Sequence, residues 1–298
     1  MTRRVVLVSA RVARHLDEDL PPLLAAFTDA GVDAEAADWD DPDVDWAAYT
    51  LAVLRSTWDY AERVTEFLAW AERTAAVTAL INPPAVVRWN TDKHYLAELA
   101  RAGVPTVPTR FVEPAERAVA ALDRFLTEER PADWVVKPAV GAGSRDAARY
   151  TAGEEGQAVA HVARLLAAGR SVILQPYLDQ VDRHGETALI YFNGRFSHAI
   201  RKGPLLQRGS GPTEALFAQE QITPRTPAAQ ELRVGDAAMA ALPFAPPLYA
   251  RVDLIRSGDG APCLLEIELT EPSLFFAHAP AAAGRFAQLC AQLPLLSR

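Results

Sequence analysis

The hydrophobic pattern of the first ninety residues alternates between short apolar runs and longer amphipathic stretches. Three apolar runs predict buried strands, at residues 4–9, 49–57 and 76–84. Two amphipathic stretches between these runs, near 17–30 and 61–76, predict helices. Alternating strands and helices are typical of a parallel sheet that is covered by helices on both faces. The pattern therefore predicts an N-terminal α/β domain.

The pattern changes after Pro83 and Pro84. Residues 91–105 predict a helix with Thr91 as its N-cap. The next predicted elements are strand 108–112, helix 115–129, strand 133–137, helix 154–168 and strand 171–175. From Thr187 onward, apolar runs joined by tight turns predict antiparallel hairpins, one at Asn193-Gly194 and one at 257–260, with a helix near 227–241 between them.

Composition and charge narrow the class of protein. The chain has 298 residues, a net charge of −8 and no clustered basic segment, which argues against a dedicated nucleic-acid or membrane-surface binder. Its apolar runs are too short for a signal segment or a membrane span, so we expect a cytoplasmic protein. Cys263 and Cys290 are the two cysteines, and their wide separation favours buried thiols over metal or redox chemistry.

The last predicted hairpin places several charged residues on one face. Arg251 and Asp253 lie two residues apart on its first strand, and Glu266 and Glu268 lie two residues apart on its second strand. Leu265, Ile267 and Leu269 are expected to face the other side. Three converging carboxylates repel one another unless a cation lies between them, and Mg²⁺ prefers oxygen ligands. The alternative is a solvated face of an antiparallel sheet, where polar and apolar residues alternate as a rule.

A loop of small residues follows Lys137, at 141–144 (Gly-Ala-Gly-Ser). Such a loop leaves backbone N–H groups uncovered, so phosphate oxygens could approach them. It is not a Walker A motif, because the lysine precedes the glycines, and a plain β-turn is the alternative. The chain has three lysines, Lys93, Lys137 and Lys202, against 27 arginines. Residues 174–178 (LQPYL) offer backbone groups in an apolar slot that suits adenine, or are simply a strand end.

A third group of polar residues follows the predicted strand 49–57. Ligands of parallel sheets bind beyond the carboxyl ends of the strands, where Arg55, Thr57 and Asp59 lie. They could offer a cation and a carboxylate to a zwitterionic substrate. In the alternative interpretation, Trp58 and Tyr60 pack on the next helix and Arg55 pairs with Asp59 at the surface.

The order of these residues along the whole chain resembles the ATP-grasp superfamily, in particular its D-alanine:D-alanine ligase, glutathione synthetase and glutamate-tailing ligase branches. The resemblance implies three parts: an N-terminal α/β substrate domain at 1–90, a lid subdomain at 91–178, and a C-terminal catalytic lobe at 179–298 with an antiparallel ATP-binding sheet. It also implies ATP and Mg²⁺, with two ions, as cofactors. The carboxylate triplet with separations of 13 and then 2 residues is the most specific element.

The resemblance implies a role for each matching residue. Lys93 and Lys137 would hold the ATP phosphates, and the loop 141–144, with Gly143 and Ser144, would cover them. Gln175, Tyr177 and Leu178 would contact adenine, Glu186 the ribose and Lys202 the γ-phosphate. Asp253, Glu266 and Glu268 would bind the metal, and Arg251 would stabilise the oxyanion. Glu268 stands where the superfamily usually has asparagine. The segment after it lacks the usual Pro-Gly, and Ser273 there is a candidate substrate contact.

The implied activity is an ATP-dependent carbon–nitrogen ligase of antibiotic biosynthesis. A small amino acid is activated as an acyl phosphate and then attacked by nitrogen. Overall similarity favours a cyclo-ligase that closes O-ureido-D-serine to D-cycloserine, with Arg55 at the ureido or carboxylate group and Asp59 at the α-ammonium. The alternatives are an intermolecular amino-acid or dipeptide ligase and a non-catalytic nucleotide-binding module. The sequence does not determine the oligomeric state, and a homodimer is one of the states it allows.

Overall fold

The computed structural model describes residues 3–213 and 221–293. Its N-terminal part contains a four-stranded parallel sheet in the order β2-β1-β3-β4. The strands and main helices of this part are β1 (Arg4–Ser9), α1 (Leu20–Asp29), β2 (Asp33–Asp38), β3 (Leu51–Leu54), α2 (Val64–Ala75) and β4 (Ala79–Ile81). Strand β2 is not among the predicted elements, because alanine is its only apolar residue type.

Both faces of this sheet are covered. Val5 and Leu7 of β1 pack into the cluster that contains α1, whereas Val6 and Val8 pack into the cluster that contains α2. Successive residues of a strand point to opposite faces, so the continuous apolar run of β1 serves two cores at once. The prediction of a parallel sheet between helices is confirmed.

The middle part is a second four-stranded sheet, which is antiparallel and has the order β5-β8-β6-β7. Its elements are α3 (Pro84–Asn90), α4 (Tyr95–Arg101), β5 (Arg110–Val112), α5 (Ala118–Glu129), β6 (Asp133–Pro138), β7 (Ala148–Thr151), α6 (Glu155–Ala167) and β8 (Val172–Pro176). The predicted N-cap Thr91 is wrong. Thr91 ends α3, which begins at Pro84 because proline is tolerated in the first helical turn, and His94 is the N-cap of α4.

The C-terminal part is built on a five-stranded antiparallel sheet in the order β11-β10-β9-β12-β13. Its elements are α7 (Gln180–His184), β9 (Glu186–Phe192), β10 (Arg195–Lys202), β11 (Ile222–Pro224), α8 (Ala229–Ala240), β12 (Tyr249–Arg256), β13 (Pro262–Glu268) and α9 (Ala281–Gln292). Both predicted hairpins, β9–β10 and β12–β13, are confirmed. Helix α9 packs against α1 of the N-terminal part.

Buried hydrogen bonds join the N-terminal sheet to the C-terminal lobe. The Tyr249 hydroxyl lies within 3.1 Å of the carbonyl oxygens of Leu54, Ile81 and Thr270. Asn82, just after β4, donates to the carbonyls of Tyr249 and Leu269. The carboxyl ends of the parallel strands are therefore held against the end of β13. Among the described residues, no helix is both long enough and apolar enough to cross a bilayer.

Candidate active site

The β12–β13 hairpin brings three carboxylates together. Arg251 pairs with Glu268 and Asp253 pairs with Glu266 across the two strands. One oxygen from each of Asp253, Glu266 and Glu268 can be chosen so that all three lie within 4.8 Å of one another. Hard cations such as Mg²⁺ take carboxylate oxygens as ligands, so this cluster fits a divalent ion.

A β-bulge changes the alternation of side chains in this hairpin. The register shifts between Asp253 and Leu254, which pairs with Leu264, so Leu265 is an extra residue on β13. Leu265 lines the large cavity described below and packs with Val107 and Ile255, whereas Leu264, Ile267 and Leu269 belong to the core beneath the sheet, with Ile267 also at the cavity wall. The expectation that Leu265 shares a face with Ile267 and Leu269 is therefore wrong.

Cationic side chains surround the carboxylates. The Lys202 ammonium is 2.8 Å from both Asp253 and Glu186. Arg251 lies 2.9 Å from Asp253 and also forms an ion pair with Glu268. On the other side, Lys93 is 3.6 Å from Glu266 and donates a hydrogen bond to the carbonyl of Gly141 at 2.8 Å. The site thus alternates negative and positive groups within a buried volume.

Burial and these cations shift the ionisation of the two glutamates in opposite directions. Burial by itself would raise the pKa of Glu266, but the lysine charges around it outweigh burial and lower its pKa to about 2. Burial raises the pKa of Glu268 to about 8, and Arg251 only partly opposes this. Burial also lowers the pKa of Lys137. A bound divalent cation would favour the charged form of Glu268.

The cavity beside the hairpin has an empty volume of about 1460 Å³, a figure that includes the open space at its mouth. Its walls contain every residue expected to contact ATP: Lys93, Lys137, Gly143, Ser144, Gln175, Tyr177, Leu178, Glu186 and Lys202. Gly143 and Ser144 both adopt left-handed backbone conformations. The side-chain amide of Gln175 donates to Thr109 at 2.8 Å, and the ring of Tyr177 packs 3.5 Å from the Arg149 guanidinium.

The structure places one of the predicted substrate residues in the cavity wall and the other three outside it. Ser273 lines the cavity, but Arg55, Thr57 and Asp59 are not among the described residues that do so. Arg55 is only 1% exposed and donates to the carbonyl of Pro272 at 2.8 Å. Asp59 accepts hydrogen bonds from Trp39 at 2.9 Å and from Arg63 at 2.5 Å.

The structure therefore corrects the substrate roles expected for Arg55 and Asp59. Both side chains lie behind the cavity wall, with protein partners of their own. The buried Thr57 is likewise outside the wall. Arg55 still matters for the site, because it holds the segment that carries Ser273.

Several wall residues had no predicted binding role. Trp58 and Tyr60 enter the cavity from the turn after β3, and Glu271 enters it from the segment after β13. Tyr60 also packs as expected, because its ring stacks on Phe67 of α2 at 5.2 Å. Trp58 and Tyr60 therefore combine packing with a place in the cavity wall. The available sequence signal for Glu271 was an acidic residue three positions after Glu268, the last residue of the metal-ligand pattern. Two-residue periodicity could not place its side chain, because this periodicity ends with the strand.

The fold and the site define an ATP-grasp ligase, an enzyme class that uses ATP and Mg²⁺. Solved ligases of low sequence identity share this fold. D-alanine–D-alanine ligase from Bacillus anthracis has a TM-score of 0.69 at 16% identity, over 98% of this chain and 97% of that one. The ATP-grasp ligase PsnB, complexed with a minimal precursor, has a TM-score of 0.65 at 19% identity, over 98% and 100% of the chains.

More similar proteins narrow the assignment. The chain belongs to the family of D-cycloserine synthetase DcsG. It is 46% identical over 292 residues to the cycloserine biosynthesis protein DcsG of Streptomyces lavendulae, covering 97% of this chain and 98% of that protein. The crystal structure of D-cycloserine synthetase DcsG has a TM-score of 0.91 at 44% identity, covering 97% and 99%. A family profile described as D-cycloserine synthetase DcsG, N-terminal domain, matches residues 5–82. The predicted superfamily, fold class and ligase class are confirmed.

Proposed function

We propose that this protein uses ATP to close O-ureido-D-serine into the isoxazolidinone ring of D-cycloserine. The observation that carries the proposal is 46% identity to a cycloserine biosynthesis protein over 97% of the chain. The three lysines, Glu266 and Glu268 line one cavity, and Asp253 is clustered with the two glutamates, which disfavours a module that has lost catalysis. An ATP-dependent biosynthetic step also suits the cytoplasm, where we place the enzyme. That the enzyme forms a homodimer stays a prediction.

The nucleotide would lie along the wall from residues 175–178 to the carboxylate cluster. Lys93, Lys137 and Lys202 would contact its phosphates, and the loop 141–144 would cover them. Asp253, Glu266 and Glu268 would hold Mg²⁺, and we propose two ions. The metal supplies charge neutralisation on the phosphates.

The first chemical step joins the substrate carboxylate to the terminal phosphate. A carboxylate oxygen attacks the γ-phosphorus in line, the bond to the bridging oxygen breaks, and ADP leaves. The residues of this chain mainly hold the two reactants in position, which is the principal demand of phosphoryl transfer. The product is an acyl phosphate.

The second step closes the ring. The ureido nitrogen bonded to oxygen attacks the acyl carbon, loses its proton, and phosphate leaves with the electrons of the broken C–O bond. Arg251 lies beside Asp253 and Glu268 with its guanidinium in the cavity wall, where it would stabilise the oxyanion. Release of the carbamoyl group with water, as carbon dioxide and ammonia, then yields the free ring.

The test measures ADP release and product mass with a panel of D- and L-amino acids, with and without an added amine acceptor. We expect turnover of O-ureido-D-serine without an acceptor and a cyclic product. An absolute requirement for an acceptor would instead identify an intermolecular amino-acid or dipeptide ligase. Nucleotide binding without turnover on any substrate would identify a binding module.

A further inference from the structure

The segment after β13 presents a buried carboxylate to the substrate end of the cavity. Glu271 is 6% exposed and lines the cavity together with Trp58, Tyr60 and Ser273. Tyr60 lies close enough to the Glu271 carboxylate for hydrogen bonding to oppose the rise of its pKa. The Trp58 indole donates to the backbone carbonyl of Glu271 at 3.0 Å. The backbone of Glu271 is therefore held by an aromatic residue from a different part of the fold.

The backbone of this segment is anchored on both sides of Ser273. The Asp19 carboxylate accepts hydrogen bonds from the backbone N–H groups of Leu274, Phe275 and Phe276, at 2.5, 3.0 and 2.8 Å. Arg55 donates to the carbonyl of residue 272 and lies 3.5 Å from Asp19. Such anchoring holds Glu271 in place before a ligand arrives, which lowers the entropic cost of binding.

The charge of Glu271 is not balanced by the nearby cations. Lys93 and Arg251 act on it electrostatically, but Lys93 lies 3.6 Å from Glu266 and Arg251 lies 2.9 Å from Asp253. Burial outweighs their influence and raises the pKa of Glu271 to about 7. A cationic ligand group beside this carboxylate would restore its charged form.

The proposed substrate carries one such cation. Its carboxylate must lie at the phosphates and Arg251, its ureido end is neutral, and its α-ammonium needs an anionic partner. The metal-site carboxylates are already paired with lysines and Arg251, and Asp59 lies outside the cavity wall. Glu271 meets the need in both charge and position.

We propose that Glu271 binds the α-ammonium of the substrate, with Tyr60 orienting its carboxylate and Trp58 fixing its backbone. The proposal rests on the proposed function, since it takes an amino acid with a free α-amino group as substrate.

The test compares O-ureido-D-serine with its analogue that lacks the α-amino group, in the wild type and in Glu271→Gln. A hydrogen bond to a charged group is worth about 1.5–3 kcal/mol, which corresponds to about 10- to 100-fold in kcat/KM. We expect Glu271→Gln to raise KM for the natural substrate by about that factor. Removing the amino group should cost the wild type a similar factor and should cost Glu271→Gln little.

Controls separate this outcome from misfolding and from an error in the proposed function. The affinity for ADP, measured by calorimetry, should be unchanged in Glu271→Gln, and Glu129→Gln, an exposed carboxylate at the end of α5, should behave as wild type. An equal amino-group penalty in the wild type and Glu271→Gln overturns the ammonium site. If the wild type turns over another amino acid and not O-ureido-D-serine, ring closure fails, and the same comparison with that amino acid still decides the role of Glu271.

Discussion

Lys93, Lys137 and Lys202 are the three lysines of a chain with 27 arginines, and all three line one cavity. A lysine carries a compact charge on a flexible stem, whereas arginine is planar and bulky. This chain uses arginine for its other positive charges, so the lysines mark positions where a small ammonium is needed. Their roles toward phosphate stay a prediction, but the composition alone was sufficient to single them out.

Lys137→Arg tests that requirement directly. Lys137 is enclosed between the small-residue loop and the carboxylates, where burial lowers its pKa. A guanidinium would fill space that we assign to phosphate, so we expect kcat/KM for ATP to fall by at least about 10-fold despite the retained charge. Steady-state kinetics with varied ATP would show it. Arg130→Lys, at the exposed end of α5, is the matched control, and equal kinetics in both variants would contradict the argument.

The raised pKa of Glu271 predicts a pH-dependent stability. Its folded pKa of about 7 exceeds the unfolded value of 4.5, so its contribution is fully present below pH 4.5 and is lost as pH rises through 7. The groups acting on it are Tyr60, Lys93, Arg251 and Glu266. The loss is on the order of 3 kcal/mol. In ligand-free, metal-free protein, Glu271→Gln should raise Tm by about 5 °C at pH 8 and leave it near wild type at pH 5; no gain at pH 8 would contradict this.

At the scale of elements, two-residue periodicity was sufficient to predict the convergence of charges on the β12–β13 hairpin. It was not sufficient to predict the bulge that moves Leu265 into the cavity wall, because periodicity carries no information on where a register shifts. The segment after β13 was also beyond prediction. Its shape depends on Asp19 and Arg55, which are more than 200 residues away along the chain.

Asp19→Asn should loosen that segment. The carboxylate accepts three backbone N–H groups, and an asparagine side chain would turn its NH₂ group toward some of these donors. We expect a loss of about 2–3 kcal/mol in the free energy of unfolding, and a higher KM for the amino acid with unchanged affinity for ADP. Urea denaturation and calorimetry measure the two effects. Asp29→Asn, at the exposed end of α1, is the control, and a KM for the amino acid that stays at the wild-type value would refute the positioning role.

For the whole molecule, the pattern of apolar runs predicted the parallel sheet, the antiparallel hairpins and their order. Among the described strands and α-helices, the pattern missed β2, α3, β7, α7, β11 and α9. Two of them have a clear local reason: β2 has alanine as its only apolar residue type, and α3 begins at the second of two consecutive prolines. The errors at Arg55 and Asp59 have another cause. Their sequence position at a strand end was right for a ligand site, but partners from distant segments turn their side chains away from the cavity.

The residues directly after the small-residue loop are held by ion pairs to other parts of the chain. Arg145 forms an ion pair with Glu62 of the N-terminal part. The neighbouring Asp146 lies 2.7 Å from both Arg164 and Arg170. A closed loop keeps water from the acyl phosphate, and without it hydrolysis would consume ATP with no ring formed.

Glu62→Gln should therefore uncouple ATP use from product formation. An exposed ion pair is worth about 0.2–1 kcal/mol, so the fraction of open loop should rise by about 1.4- to 5-fold, and ADP released per cyclic product should rise accordingly. Parallel measurement of ADP and product gives this ratio, and high salt should move the wild type in the same direction. Glu66→Gln, in α2, removes the partner of Arg63 just before that helix and should keep the wild-type ratio. An unchanged ratio in Glu62→Gln would mean that the contacts of Asp146 alone keep the loop closed.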